Sequence, residues 1–267
     1  MRIARYSLPG ADPAFGIVEL AADQGNHPDT VSQITGDPLA GPVNYTGQRH
    51  GLDEVRLLAP VIPRSKVIGV GRNYAAHAAE LGNEVPDRPL LFFKPNTSVI
   101  GPGEAIVKPA EVTELSYEGE LAVVIGRIAK HVPPERVQEV IFGYTVANDV
   151  TARDLQKPEG QWARAKGWDT FCPLGPWLVT HLSVDEAGRL GVSTTLDGET
   201  RQDGNTDLMI RSITDLVSYI SAFTTLLPGD VILTGTPAGV GAMQAGQEVS
   251  VTVEGIGTLT NPVVDED

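Results

Sequence analysis

Cysteine is nearly missing from this chain. Cys172 stands alone, so neither an internal disulfide nor a cysteine-rich metal centre can form. Basic residues are also scarce, 20 against 34 acidic ones, giving a formal net charge of −14 and a pI near 4.7. A surface of that sign repels phosphate backbones and anionic lipid, which argues against nucleic-acid and membrane partners. No stretch approaches the ~20 apolar residues of a membrane span. The opening Met1-Arg2-Ile3-Ala4-Arg5-Tyr6 lacks the apolar run of a secretion signal, so the expected location is the cytoplasm. There is no Walker loop and no H-E-x-x-H. Gly69-Val70-Gly71 begins like a dinucleotide fingerprint, but Tyr74 stands where the third glycine belongs. Aromatic residues make up 6 % of the chain. Trp162, Trp168 and Trp177 read as packing or pocket-lining side chains rather than a base-stacking series.

What is present is 267 residues, 41 % apolar, with 29 glycines and 20 prolines. That length suits one large domain, or a catalytic domain with a small appendage. The first ~60 residues show short strands at Arg2–Leu8 and Phe15–Leu20, then turn-rich sequence. Leu57–Pro63 looks like an extended connector. A small N-terminal domain over 1–62 and a larger unit over 63–267 follow. Beyond it, strands are expected at Lys66–Val70, Leu90–Phe93, Leu121–Ile125 and Val231–Thr234, with a closing hairpin over Glu248–Val264. Helices are expected at Asn73–Leu81, with Gly82 at its C-terminal stop, at Pro134–Phe142, and at Ser212–Leu227, where Ser212 and Asp215 suit a capping box. Strands outnumber helices and no regular βαβ series appears, which indicates a β-rich α+β fold.

Glu118-Gly119-Glu120 enters a strand, and its i, i+2 spacing sends both carboxylates to one face. Close carboxylates repel unless a cation sits between them. Asp149, after the apolar run from Ile141 to Ala147, is a third acid in a similar setting. Three oxygen donors suit Mg²⁺, then Mn²⁺, with Ca²⁺ a third candidate; zinc fits poorly because no His or Cys lies in the group. The same spacing also describes two solvated edge residues and a turn-forming aspartate. His77 and Glu80 would share a helix face at i, i+3, where Glu80 could orient the imidazole and raise its basicity. A surface histidine with a chance acidic neighbour has the same pattern. His27, His50, His131 and His181 sit in polar, turn-like sequence and are expected at the surface, and Cys172 reads as a packed small residue.

Five segments taken together carry more. Gly71-Arg72-Asn73-Tyr74-Ala75-Ala76-His77, Phe92-Phe93-Lys94-Pro95, the Glu118/Glu120 strand, Asn148-Asp149-Val150-Thr151-Ala152-Arg153-Asp154-Leu155-Gln156 and Gly235-Thr236-Pro237-Ala238-Gly239-Val240-Gly241 closely resemble, in order and content, the fumarylacetoacetate hydrolase family. The resemblance runs from about Val67 to the C-terminus. It implies a mixed β-roll catalytic domain and an Mg²⁺ or Mn²⁺ site, usually in a homodimer. It also implies activity on small-molecule 2-oxo acids, β-diketo acids or their enols. Carried over by position, the ligands are Glu118, Glu120 and Asp149. Ser116, where many members have Asp, departs from the pattern at a position that is not a ligand.

A 2-oxo acid can chelate a dication through its carboxylate and keto oxygens. C–C cleavage, loss of CO₂ and double-bond migration all build charge on the C2 oxygen, which a metal stabilises. An anionic substrate then needs cations, and Lys94, Arg153 and Lys166 match family positions that supply them, Lys166 in a catalytic role. Gln156 shares a helix face with Arg153, and Arg72 and Tyr74 complete the expected substrate-binding set. The glycine-rich loop is expected to bring backbone N–H groups at Gly235 and the Thr236 hydroxyl onto a substrate carboxylate. His77 and Glu80 are the acid/base pair on a lid-borne helix. The leading expectation is hydrolysis of an acylpyruvate C–C bond, with oxaloacetate decarboxylation alongside. A 2-hydroxyhepta-2,4-diene-1,7-dioate isomerase or decarboxylase is the alternative. A non-catalytic metal- or ligand-binding relative is a third reading, which has no use for the His77/Glu80 pair.

Overall fold

The computed structural model describes residues 1–24 and 28–266. His27 lies outside the described residues. Burial patterns explain how the strands are layered. Gly119–Ile125 is buried at all seven positions and Cys172–Val179 at all eight, as expected of central strands covered on both faces. Gly191–Leu196 and Glu248–Val253 instead alternate buried and more exposed residues, the period-two signature of a sheet with one wet face.

The large sheet has twelve strands among the described residues. Its main path runs Tyr45–Gly51, Thr30–Ile34, Ala14–Glu19, Arg2–Ser7, Cys172–Val179, Ile141–Asn148, Gly119–Ile125, Val231–Leu233, Val67–Gly71, Leu90–Lys94. The N-terminal strands are thus continuous with the later ones, through Arg2 opposite Val179 and Ile3 opposite Leu178. A five-stranded sheet packs across one face, where Val192, Val251 and Leu259 meet Val123, Tyr144 and Trp177 in one apolar cluster. The Ile213–Phe223 helix seals that cluster with Leu216, Val217 and Ile220. On the other face, Ala122, Val124 and Leu178 pack with Ile3, Ile17 and Val61. A three-stranded sheet of Thr151–Ala152, Leu115–Tyr117 and Gly241–Met243 stands beside them. The β-rich α+β expectation holds.

Two expected helices are shorter than their apolar spacing suggested. Pro134–Glu139 is a 3₁₀ helix, and Ile141 and Phe142 leave it for a strand. Ile213–Phe223 stops before Leu227, because Leu226 bridges Ala129 in an extended pairing. The stretch Leu57–Pro63, expected as a connector, begins inside a strand instead: Arg56–Leu58 pairs with Arg5–Ser7.

Candidate active site

Glu118 sits at the break between Leu115–Tyr117 of the small sheet and Gly119–Ile125 of the large one. The break brings Gly119 against the five-stranded layer, where a Cβ would lie 2.3 Å from Thr194 Oγ1 and 2.8 Å from Val251 Cγ1. Only glycine fits between the two glutamates. Asp149 follows the Ile141–Asn148 strand, and its amide donates to the Glu118 carbonyl at 2.8 Å. Ligand atoms of Glu118, Glu120 and Asp149 consequently lie within 4.8 Å of one another, with all three residues buried.

Three cations meet this acid group. Lys166 Nζ donates to Glu118 Oε2 and Asp149 Oδ2, both at 2.7 Å. Lys94 Nζ donates to Asp149 Oδ1 at 2.5 Å, and Arg153 Nη2 to Glu118 Oε1 at 2.6 Å. Arg153 Nη1 also donates to Gln156 Oε1 at 2.7 Å, so the expected i, i+3 pair forms at the start of the Arg153–Glu159 helix. Burial raises the Glu118 pKa, but Lys166 and Arg153 outweigh it and hold the carboxyl well below its ordinary range. Burial also opposes the charge on Lys166, yet Asp149 and Glu118 win and raise its pKa. Lys166 is therefore a fixed ammonium, not a proton acceptor near neutrality. Glu120 differs. Burial, then repulsion from Asp149 and Glu118, push it well above the usual carboxylate range, against one 2.6 Å hydrogen bond from the Gly235 amide. Hard oxygen donors at this spacing, with Glu120 in no ion pair among the described residues, could hold a metal ion.

The group opens on a cavity of about 400 Å³, in whose wall Glu118, Glu120, Arg153, Lys166 and His77 come together. His77 is carried by the Ala75–Glu80 helix, which ends in a Schellman motif. Asn83 N–H donates to Ala78 O at 2.8 Å and Gly82 N–H to Ala79 O at 3.0 Å, with Gly82 at φ 67°. His77 is buried rather than on a helix surface. Burial, the largest influence, lowers its pKa from the ordinary histidine value, against the opposing pull of Glu118, and so favours the uncharged imidazole.

Several expected roles change. Glu80 stands beside the imidazole in an ion-pair contact, Oε2 3.6 Å from Nδ1, longer than a hydrogen bond, and Nδ1 has no hydrogen-bond partner among the described residues. Both Glu80 oxygens instead accept from the Gly239 amide at 3.1 Å. The Gly235 amide is spent on Glu120, and the Thr236 hydroxyl donates to Gly119 O at 2.8 Å, so neither is free for a substrate carboxylate. Tyr74 is buried at the helix start and bridges Met209, outside the cavity wall. Lys94 is likewise sealed behind Asp149 and holds that carboxylate instead of touching the cavity. Arg72, Gln156 and Thr236 do line the cavity, as does Trp162.

Sequence reasoning passed over Gln202, Asn73 and Lys157. Buried Gln202 takes hydrogen bonds from Gly119 N and Thr194 Oγ1 and donates to Thr236 Oγ1 and Pro237 O, tying the glutamate strand to the glycine-rich loop. Asn73 donates to Arg211 O and Thr234 O and accepts from Arg211 N, pinning the turn that carries Arg72. A glutamine in an exposed-looking hairpin gives no local signal of such burial. Of the other histidines, His131 and His181 are exposed as expected, while His50 is half-buried beside Tyr6.

Residues 66–264 match the family model described as fumarylacetoacetate (FAA) hydrolase C-terminal, and residues 1–60 match the Rv2993c-like N-terminal one. Protein Rv2993c of Mycobacterium tuberculosis is 49 % identical over 264 residues, 99 % of this chain and 98 % of that protein. The oxaloacetate tautomerase YisK of Bacillus subtilis is 44 % identical over 225 residues, 80 % of this chain and 75 % of its own. A solved structure of 5-carboxymethyl-2-hydroxymuconate delta-isomerase from Mycobacterium smegmatis is 50 % identical with a TM-score of 0.89, each chain covered completely.

Proposed function

The chain belongs to the fumarylacetoacetate hydrolase family, and on that premise we propose that it is a divalent-metal-dependent enzyme moving a proton next to the keto group of a 2-oxo acid or its enol. The observation that carries this reading is a group of three buried carboxylates, two of which, Glu118 and Glu120, share one cavity wall with the buried His77. A dication held by Glu118, Glu120 and Asp149 would supply Lewis-acid stabilisation of charge developing on the C2 oxygen. Lys166 and Arg153 keep Glu118 ionised while presenting positive charge to the substrate carboxylate. His77, whose uncharged form burial favours, takes the proton from C3 and returns it at the enol oxygen or farther along a conjugated chain. Burial of His77 and Glu120 keeps bulk water from competing for that proton.

Relatives named as a tautomerase and an isomerase support placing proton transfer first. Acylpyruvate hydrolysis stands second, since the cavity has room for a water that His77 could activate, and oxaloacetate decarboxylation needs no such water. A small N-terminal domain over 1–62 with a catalytic unit over 63–267, homodimeric assembly and a cytoplasmic location belong to the same reading. The decisive experiment follows oxaloacetate enol–keto exchange, acetylpyruvate hydrolysis and hydroxydienedioate isomerisation spectrophotometrically with Mg²⁺ or Mn²⁺, then with chelator. Metal-supported exchange or isomerisation is expected; no turnover of any of the three would overturn the reading.

A further inference from the structure

Gly69 and Gly71 stand two apart on the Val67–Gly71 strand and so share one face of the sheet. Two aromatic rings occupy that face. A Cβ on Gly69 would lie 2.1 Å from Cζ of Phe92, its partner across the antiparallel Leu90–Lys94 strand, and one on Gly71 would lie 2.6 Å from Cζ3 of Trp162. Neither glycine has a left-handed backbone, so what each position needs is the missing side chain. Phe92 and Trp162 meet edge to face with ring centres 5.5 Å apart. The rings carry cations in turn. Lys166 Nζ lies 5.0 Å from the centre of the Phe92 ring, and the Arg72 guanidinium 5.9 Å from that of Trp162. Trp162 immediately precedes the Ala163–Lys166 helix, and its carbonyl accepts from the Lys166 amide at 2.9 Å. One helical turn is thus docked at both ends, by Trp162 on Gly71 and by Lys166 on Phe92. A helix of four residues has no stability of its own, so its placement comes from such contacts.

We propose that Phe92, seated in the notch at Gly69 and buttressed by Trp162 in the notch at Gly71, is a positioning residue for Lys166, whose ammonium its ring face holds against Glu118 and Asp149. A lysine head group sits on a flexible four-carbon stem. Two of its three N–H donors go to the two carboxylates, and the negative ring face removes the swing that those bonds leave. Lys94 supplies the contrast. It holds Asp149 from an equally buried position, with no aromatic ring against its ammonium among the described residues. The consequence for turnover rests on the proposed 2-oxo acid chemistry; the placement of Lys166 does not.

The test places 4-fluorophenylalanine or 3,4,5-trifluorophenylalanine at position 92, alongside Phe92→Leu. Acylation of each lysine is followed in the intact chain by peptide mass spectrometry, with and without Mg²⁺. Fluorines drain the ring face of charge while its size hardly changes, and leucine keeps apolar bulk without a face. Acylation requires Lys166 to leave its seat, so the rate reads how firmly the seat holds it. The rate at Lys166 should barely change with one fluorine, rise with three, and reach ~10-fold in Phe92→Leu, while Lys94 keeps its native rate. Gly69→Ala, which drives the ring from its notch, should also free Lys166. A Lys166 rate blind to the fluorines, a parallel rise at Lys94, or no rise in Phe92→Leu would overturn the proposal. Where a 2-oxo acid is turned over, kcat/KM should fall in the order in which Lys166 is freed, and turnover indifferent to that order would overturn the positioning role. The same labelling order in a protein that turns over no 2-oxo acid leaves the placement standing and sinks the proposed reaction.

Discussion

His77 is the side chain whose environment does most to define the chemistry. Burial lowers its pKa below 6.5, so the base form persists to lower pH than in a free histidine. The acid limb of kcat/KM should therefore fall as pH drops through a value below 6.5, and His77→Gln should remove that limb while reducing turnover by about 10²- to 10⁴-fold. Mn²⁺ affinity measured by calorimetry should be unchanged in the same variant; a parallel loss of both would make His77 part of the metal site. The same shift has a stability consequence. The unfolded chain takes up this proton at higher pH than the folded one, so His77 weakens folding as pH falls below 6.5 and is neutral above it. Glu118→Ala should abolish Mn²⁺ binding and also leave Lys166 without one of its two acceptors. Cys172 is fully buried, and burial pushes its thiol up to about 12. It should not react with a thiol reagent at pH 8 until the protein is unfolded, when one thiol per chain should appear.

Local elements were legible where the information is local. The capping box is one case: Asp215 N–H donates to Ser212 Oγ at 3.1 Å and Ser212 N–H to Asp215 Oδ2 at 3.1 Å. Ser212→Ala should cost about 1 kcal/mol, read as a lowered midpoint in thermal unfolding. Gly82 closing the His77 helix and the i, i+2 convergence of Glu118 and Glu120 are equally matters of short spacing. The misreadings share a cause, because each depended on distant chain. Pro134–Glu139 tightens to 3₁₀ because Ile141 is claimed by pairing with Ile125 and Gly143 by pairing with Val124, with Phe142 at the register shift between them. Glu80, beside His77, takes its hydrogen bond from a backbone amide 159 residues away, and Thr236 turns inward to Gly119 across 117 residues. Nothing at i, i+3 or within the glycine-rich loop announces either partner. Lys94 and Tyr74 could be recognised as belonging near the site, but whether a side chain touches the cavity or lies behind it depends on packing that pattern alone does not record.

At the scale of the whole molecule, the two family models meet between residues 60 and 66, and the hydrogen-bonded fold runs on across that junction. The Arg2–Ser7 strand is the partner of Cys172–Val179, and Ile3, Ile17 and Ile34 share an apolar cluster with Leu174 and Leu178. Removing residues 1–60 would strip one edge from a strand buried at all eight positions and expose those leucines. An uncovered edge of that kind pairs with other chains. The Cys172–Val179 strand also borders Ile141–Asn148, the strand leading into Asp149, so the loss should reach the carboxylate group itself. The full chain should therefore unfold in one calorimetric transition, with calorimetric and van't Hoff enthalpies in agreement. A 61–267 fragment should elute from size-exclusion chromatography as aggregate, or unfold at a clearly lower temperature with weakened Mn²⁺ binding. Two separated transitions in the full chain, or a monodisperse fragment with undiminished Mn²⁺ affinity, would show that the N-terminal strands are an independent attachment whose pairing with Cys172–Val179 adds nothing to the site.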